Sequence, residues 1–362
     1  MALIEKHYIA ERDLPADKTV DFLKTNYLDQ GKLGFKCPHG GLYPSAQATH
    51  DGAKGANLLV LDIGLSNEKP SLTAGEILEI SPAGRVQQVL AKGQALPDGI
   101  AVDPNSGRMF WTTMGIPGKE DGAVLSANLD GTDTQTIVLP GAINTPKQIA
   151  LDTMSQKLYI CDREGCRVFR CNLNGSDLEV LVQAGAGPKG TSEAAQDPMN
   201  WCVGITVAPK FGKFYWTQKG PSKGGQGRIF SANISTPEGQ SASSRDDIRC
   251  ILGGLPEPID LEVDEESKKL YWTDRGELPF GNSLNRLHLD QFGHPLPSMS
   301  PLGYEVLTRN LHEAIGLKLD LPNNNIYLTD LGGHLYRCDN DGKNKVTLRA
   351  DENRAFAGIT LV

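Results

Sequence analysis

Tyr271-Trp-Thr-Asp274 decides how this sequence is read, because the stretch does not stand alone. Five other segments share its pattern of apolar strand residues ending on a polar or acidic position: Leu59-Val-Leu-Asp62, Phe110-Trp-Thr-Thr113, Tyr159-Ile-Cys-Asp162, Tyr215-Trp-Thr-Gln218 and Tyr327-Leu-Thr-Asp330. In chain order the six begin 51, 49, 56, 56 and 56 positions apart. A recurrence at this period marks a repeat architecture. Working outward, each of the last five follows another alternating apolar stretch: Gly99-Ile-Ala-Val-Asp103, Gln148-Ile-Ala-Leu-Asp152, Gly204-Ile-Thr-Val207, Asp260-Leu-Glu-Val-Asp264 and Gly316-Leu-Lys-Leu-Asp320. The two stretches read as paired antiparallel strands.

After each core comes a third strand that often closes on Asp-Gly or Asn-Gly, as in Ala127-Asn-Leu-Asp-Gly131, Cys171-Asn-Leu-Asn-Gly175 and Cys338-Asp-Asn-Asp-Gly342. Such dipeptides suit two-residue hairpins, so a fourth strand is predicted at Thr136–Leu139, Leu178–Val182 and Lys345–Leu348. Four strands per period of about fifty residues describe a propeller blade. The strand that should precede Leu59 is missing, and a spare copy, Phe356-Ala-Gly-Ile-Thr-Leu-Val362, stands at the C-terminus. The predicted fold is therefore all-β: a six-bladed β-propeller over residues 56–362, closed by the C-terminal strand joining the first blade. Closure removes the sheet edges that template aggregation. Residues 1–55 form an N-terminal extension expected to pack on the propeller, with a short helix over Asp17–Leu28 and a loop over Phe35–Asp51.

The composition agrees with this reading. The 40 glycines and 22 prolines among 362 residues favour short strands and tight turns over helices. With 36 basic and 44 acidic side chains the formal charge is −8, which argues against nucleic acid as a partner. Charges at Glu5, Lys6, Glu11, Arg12 and Asp13 interrupt any apolar leader, and no run approaches a membrane span. The seven cysteines are odd in number and include no Cys-x-x-Cys pair. A reducing, cytoplasmic setting without membrane association is expected.

The repeats resemble the six-bladed Tyr-Trp-Thr-Asp propeller of the low-density-lipoprotein receptor. The likeness rests on Tyr271-Trp-Thr-Asp274 with its variants at 110–113 and 215–218, and on Leu129-Asp-Gly-Thr132. It implies that these residues brace blade against blade and mark no site by themselves. The single-propeller layout also resembles stand-alone propellers of fungal natural-product pathways. Among these are hetero-Diels–Alder cyclases that join a tropolone quinone methide to a humulene-type terpene.

Propellers place ligands where the loops enter each first strand and leave each second strand. The entering residues include Asp98, Lys147, Asn200, Trp201, Glu257, Asp260, His312, Glu313 and Phe356; the leaving ones include Arg163, Glu164, Lys219, Arg275, Phe280 and His334. No Gly-x-Ser-x-Gly elbow, His-Glu-x-x-His or phosphate-cradling loop occurs. The expected function is cofactor-independent cyclisation of hydrophobic small molecules. In it Lys147, Arg163, Arg275 or His334 polarises a substrate oxygen, and Asp98 or Glu313 serves as acid or base. Trp201, Asp260, Phe280, His312 and Phe356 are the candidate substrate contacts. Two other functions fit the same face. One is a protein-binding module; the other is a calcium-dependent lactonase or esterase with Asp98, Asn200 and Asp260 as oxygen ligands.

Overall fold

Each repeat must bury both faces of its strands, since Tyr and Trp alternate along the second strand and point to opposite sides. The computed structural model describes residues 55–65, 71–116, 119–185 and 195–362, and there the repeats form six four-stranded antiparallel sheets. Blade 1 contains β1 (Leu58–Asp62), β2 (Gly75–Ile80) and β3 (Val86–Gln94). Blade 2 contains β4 (Pro97–Asp103), β5 (Arg108–Thr113), β6 (Ala123–Asn128) and β7 (Gln135–Val138). Blade 3 contains β8 (Pro146–Asp152), β9 (Lys157–Asp162), β10 (Arg167–Asn172) and β11 (Glu179–Gln183). Blade 4 contains β12 (Cys202–Ala208), β13 (Lys213–Gln218), β14 (Gly227–Asn233) and β15 (Arg249–Leu255). Blade 5 contains β16 (Pro258–Asp264), β17 (Lys269–Asp274), β18 (Ser283–His288) and β19 (Glu305–Thr308). Blade 6 contains β20 (Ala314–Asp320), β21 (Asn325–Asp330), β22 (His334–Cys338) and β23 (Val346–Ala350). β24 (Phe356–Leu361) then pairs with β1, Val60 opposite Ile359, as the spare C-terminal strand predicted. The helix expected over Asp17–Leu28 and the extension's loop lie outside the described residues.

The alternation builds the core. Trp216 packs toward blade 3 with Tyr159, while Tyr215 packs toward blade 5 with Leu261 and Trp272; all five are essentially inaccessible. Tyr271 continues the series against blade 6, and Tyr327 against blade 1. The threonine of the motif joins the blades by hydrogen bonds. Thr217 Oγ1 accepts from Gly204 N at 2.7 Å and donates to Ile259 O of the next blade at 2.8 Å. Thr273 repeats this with Asp260 N at 3.1 Å and Ile315 O at 2.6 Å, and Thr112 with Gly99 N at 2.9 Å and Lys147 O at 2.6 Å. Buried backbone groups at the innermost strands, which have no further strand to pair with, are satisfied in this way.

Each of β4, β8, β12, β16 and β20 is bulged at the same place, and Gly99, Gln148, Gly204, Asp260 and Gly316 occupy it. Glycine predominates because a Cβ on Gly204 would lie 2.0 Å from Ile259 O. The hairpin turns differ in one respect from the sequence expectation. Asn128 donates to Thr132 O at 2.9 Å and Asn172 to Ser176 O at 2.9 Å, so each turn spans three residues instead of two. The reason is docking: Gly175 has φ +80° and lies so close to the blade 2 outer strand that a Cβ would sit 1.8 Å from Ile137 O.

Candidate functional site

The motif's final acid positions the loops around one end of the channel. Asp274 Oδ1 accepts from Glu257 N and Gly276 N, both at 2.9 Å, so the two neighbouring side chains, Glu257 and Arg275, face each other. Asp162 Oδ1 likewise accepts from Thr145 N at 2.7 Å and Asn144 N at 3.1 Å, holding the loop that leads to Lys147 beside the one that carries Arg163. A 3-10 turn, Pro198–Asn200, capped by Asp197, delivers Trp201, whose Nε1 donates to Ala195 O at 2.7 Å.

These loops enclose a cavity of about 210 Å³. Its bed is apolar, made of Ile63, Val203, Ile259, Ile315 and Leu331, with Met114 and Trp201 at the side. Four cationic side chains line it: Lys147, Arg163, Lys219 and Arg275. All are almost fully buried. Lys147 Nζ is paired with Asp98, whose Oδ1 accepts from Gln148 Nε2 at 3.0 Å. Arg163 pairs with Glu164 at 2.5 Å and lies over the Trp201 ring, 5.2 Å from its centroid. Lys219 and Arg275 share Glu257 Oε1 at 2.9 and 2.5 Å. Glu313 stands behind Arg275 at 3.4 Å and also meets Lys223 at 3.0 Å. Buried charges persist only when paired, and each cation here meets a carboxylate, Lys219 and Arg275 the same one.

The electrostatics follow from this packing. Burial opposes the charge on Glu257, but Arg275 and Lys219 outweigh it and bring the carboxyl down to about 2. Burial brings Lys219 down to about 8, against the attraction of Glu257 and with help from Arg275 and Arg163. Asp274 is pushed by burial up to about 7. Glu313 is raised by burial, with Arg275 and Lys223 opposing.

Of the residues expected from sequence, Asp98, Lys147, Arg163, Arg275 and Trp201 converge on the cavity, with Glu313 one contact behind. His312 and His334 lie together at the outlet of blade 6, ring centroids 4.9 Å apart, outside the cavity lining. His334 Nδ1 meets Asp330 at 2.9 Å; that contact raises its pKa against the effect of burial, whereas burial lowers that of His312. Phe280 is a partly exposed rim residue that does not line the cavity. Phe356 is a correction: it is fully buried among Val60, Tyr327 and Leu335, a wedge between blades 6 and 1 rather than a substrate contact. Asp260 lines a separate cavity of about 340 Å³ further down the channel, where its oxygens accept from Leu261 N at 2.9 Å and Leu317 N at 3.0 Å. Of the oxygens invoked for calcium, those of Asp98 are engaged by Lys147 and Gln148 and those of Asp260 by backbone N–H groups.

Sequence reasoning left Lys219 and Glu257 unselected among the rim residues. The signal available was that Lys219 follows Gln218, where four of the six repeats end on an acid, so no carboxylate of its own motif awaits it.

No family model matches the chain. Its whole length is 47% identical, over 363 residues, to 76% of 3-hydroxyacyl-CoA dehydrogenase-like protein LAM1 of Cochliobolus heterostrophus. A further match, over 309 residues, covers 84% of the chain and 97% of low-density lipoprotein receptor-related protein 1 of Pyricularia oryzae at 44% identity. The chain belongs to this LAM1 family of low-density-lipoprotein-receptor-type propellers. Solved structures agree on the fold of the LAM1-family propeller. The nidogen/laminin complex superimposes with a TM-score of 0.61 at 19% identity, over 84% of this chain and 98% of that one. TolB from Acinetobacter baumannii gives 0.56 at 9% identity, over 85% and 67%.

Proposed function

We propose that the channel mouth is a small-molecule site, and that the chain transforms a compact organic ligand with a carbon-rich body and an electron-rich oxygen, without a cofactor. The observation that carries this reading is the combination in one cavity of an apolar bed with four converging cations. Apolar surface holds the body of the ligand, and the cations polarise its oxygen in a water-poor site where such interactions are strong. Asp98, beside Lys147, is the group placed to accept or return a proton.

Pockets for drug-sized ligands typically span about 300–1,000 Å³, so a cavity of about 210 Å³ favours one compact molecule. A hetero-Diels–Alder cyclisation would use the same positioning and polarisation. Its quinone methide would occupy the cavity, and its terpene would lie across the open rim. The test is calorimetric titration with compact oxygenated aromatics, tropolone among them. Saturable binding is expected, weakened about tenfold or more by Trp201→Ala and abolished by Ile259→Trp, which fills the cavity. Binding that ignores both substitutions, or no saturable binding, overturns the reading.

A protein-binding module is the second reading. It is favoured by Leu278 and Phe280, which stand 54% and 39% exposed on the same rim. Leu278→Asp and Phe280→Asp would then abolish partner binding and leave the titration unchanged.

A further inference from the structure

Two of the four cations in the cavity are lysines, and their surroundings differ. Lys147 has Asp98 to itself on the Oδ2 side, with Met114 Sδ at 3.3 Å. Lys219 Nζ lies 2.9 Å from Glu257 Oε1 and 3.3 Å from Gly220 O, but the same Oε1 accepts from Arg275 at 2.5 Å. Glu257 Oε2 is taken by Lys223 N at 2.9 Å and Ser222 Oγ at 3.3 Å. Glu257 is therefore shared between two cations, one of which, the guanidinium, also meets Glu313 at 3.4 Å and does not give up its proton.

The consequence concerns Lys219: when its proton leaves, Glu257 keeps Arg275 as its partner, so no buried carboxylate is left without a cation. Lys219 also lies among like charges and an aromatic face, with the Trp201 centroid 5.4 Å from Nζ. Burial, aided by Arg275 and Arg163, brings it down to about 8, so on the order of a tenth of it is free amine at pH 7.

We propose that Lys219 is a nucleophilic amine that forms an imine with an aldehyde or ketone carbonyl of the ligand in this cavity. The proposal rests on the reading of the mouth as a small-molecule site and adds a substrate class and a covalent step. The Nζ lone pair attacks the carbonyl carbon and the C–N bond forms. The carbonyl oxygen collects the two amine protons and leaves as water as the C–O bond breaks, so C=O becomes C=N and no redox partner is needed. Arg275, beside Lys219 on Glu257, is placed to polarise the departing oxygen.

The experiment uses the full chain with benzaldehyde as the carbonyl probe and sodium cyanoborohydride to reduce any imine. Adducts are mapped by peptide mass spectrometry, and Trp201 fluorescence, assigned with Trp201→Phe, reports occupancy. Benzylation of Lys219 is expected at pH 7 at least about tenfold faster than that of the exposed Lys92 and Lys268, rising as pH passes through about 8. In Lys219→Arg the adduct disappears while the fluorescence response remains. A fluorescence response with no adduct on Lys219 overturns the imine and leaves the small-molecule site standing. Absence of both responses overturns the two together.

Discussion

Removing the carboxylate that Lys219 and Arg275 share tests the electrostatic account of the site most directly. Glu257 is inaccessible to solvent, and four donors converge on it: the two cations, Lys223 N and Ser222 Oγ. Its carboxyl stands at about 2 against an ordinary 4.5. At about 1.4 kcal/mol per unit this displacement corresponds to about 3 kcal/mol of stability at neutral pH. That figure agrees with the ~3–5 kcal/mol lost when one partner of a buried pair is removed. Glu257→Gln keeps the shape and removes the charge, so we expect a loss of about 3 kcal/mol by urea denaturation at pH 7. Lys219 limits the loss by releasing its proton, and its midpoint should fall below about 8 in the variant. The sign of the pH dependence is set by the depressed carboxyl. Its contribution is complete above about 4.5 and disappears as pH falls toward about 2, so the gap between the two proteins must narrow over that interval. A loss under about 1 kcal/mol at pH 7, or a gap independent of pH between 5 and 2, would refute the reasoning.

Three further outcomes are expected. Thr217→Val leaves Gly204 N and Ile259 O of two adjacent blades unsatisfied, which should cost about 1–3 kcal/mol in denaturant unfolding; a neutral result would mean the blades are braced by packing alone. Gly175→Ala meets both a left-handed φ of +80° and the Ile137 carbonyl, whereas Gly212→Ala meets only a φ of +63° in open space, so the first should lower the melting temperature clearly more than the second. Asp274, raised by burial to about 7, favours the folded state most when protonated; its contribution is full below about 3.8 and lost as pH rises through about 7, a trend that should vanish from the stability profile of Asp274→Asn.

The channel mouth shows how far the sequence places side chains and where it stops. Asp98, Lys147, Arg163, Arg275 and Trp201 were legible because a propeller's loops into first strands and out of second strands must meet at one end of the channel. Phe356 stands opposite Asp62 as Pro97 stands opposite Thr113, one position before the counterpart of Asp98 and Lys147, so strand alternation turns its ring between two blades. Glu257 and Lys219 were passed over because their meaning is relational. Only the curvature of the ring brings blade 4's outgoing loop against blade 5's incoming one.

The sequence by itself determined the six-fold repeat, the closure of β24 on β1 and the strand alternation that buries Tyr and Trp between blades, because periodicity is a local property with a small set of packing solutions. Only the tertiary structure decided which charges share a partner. Pairing at the channel mouth depends on distances of a few ångströms between side chains such as Lys219 and Glu257 or Lys147 and Asp98, which stand tens of positions apart and carry no local signal of their meeting.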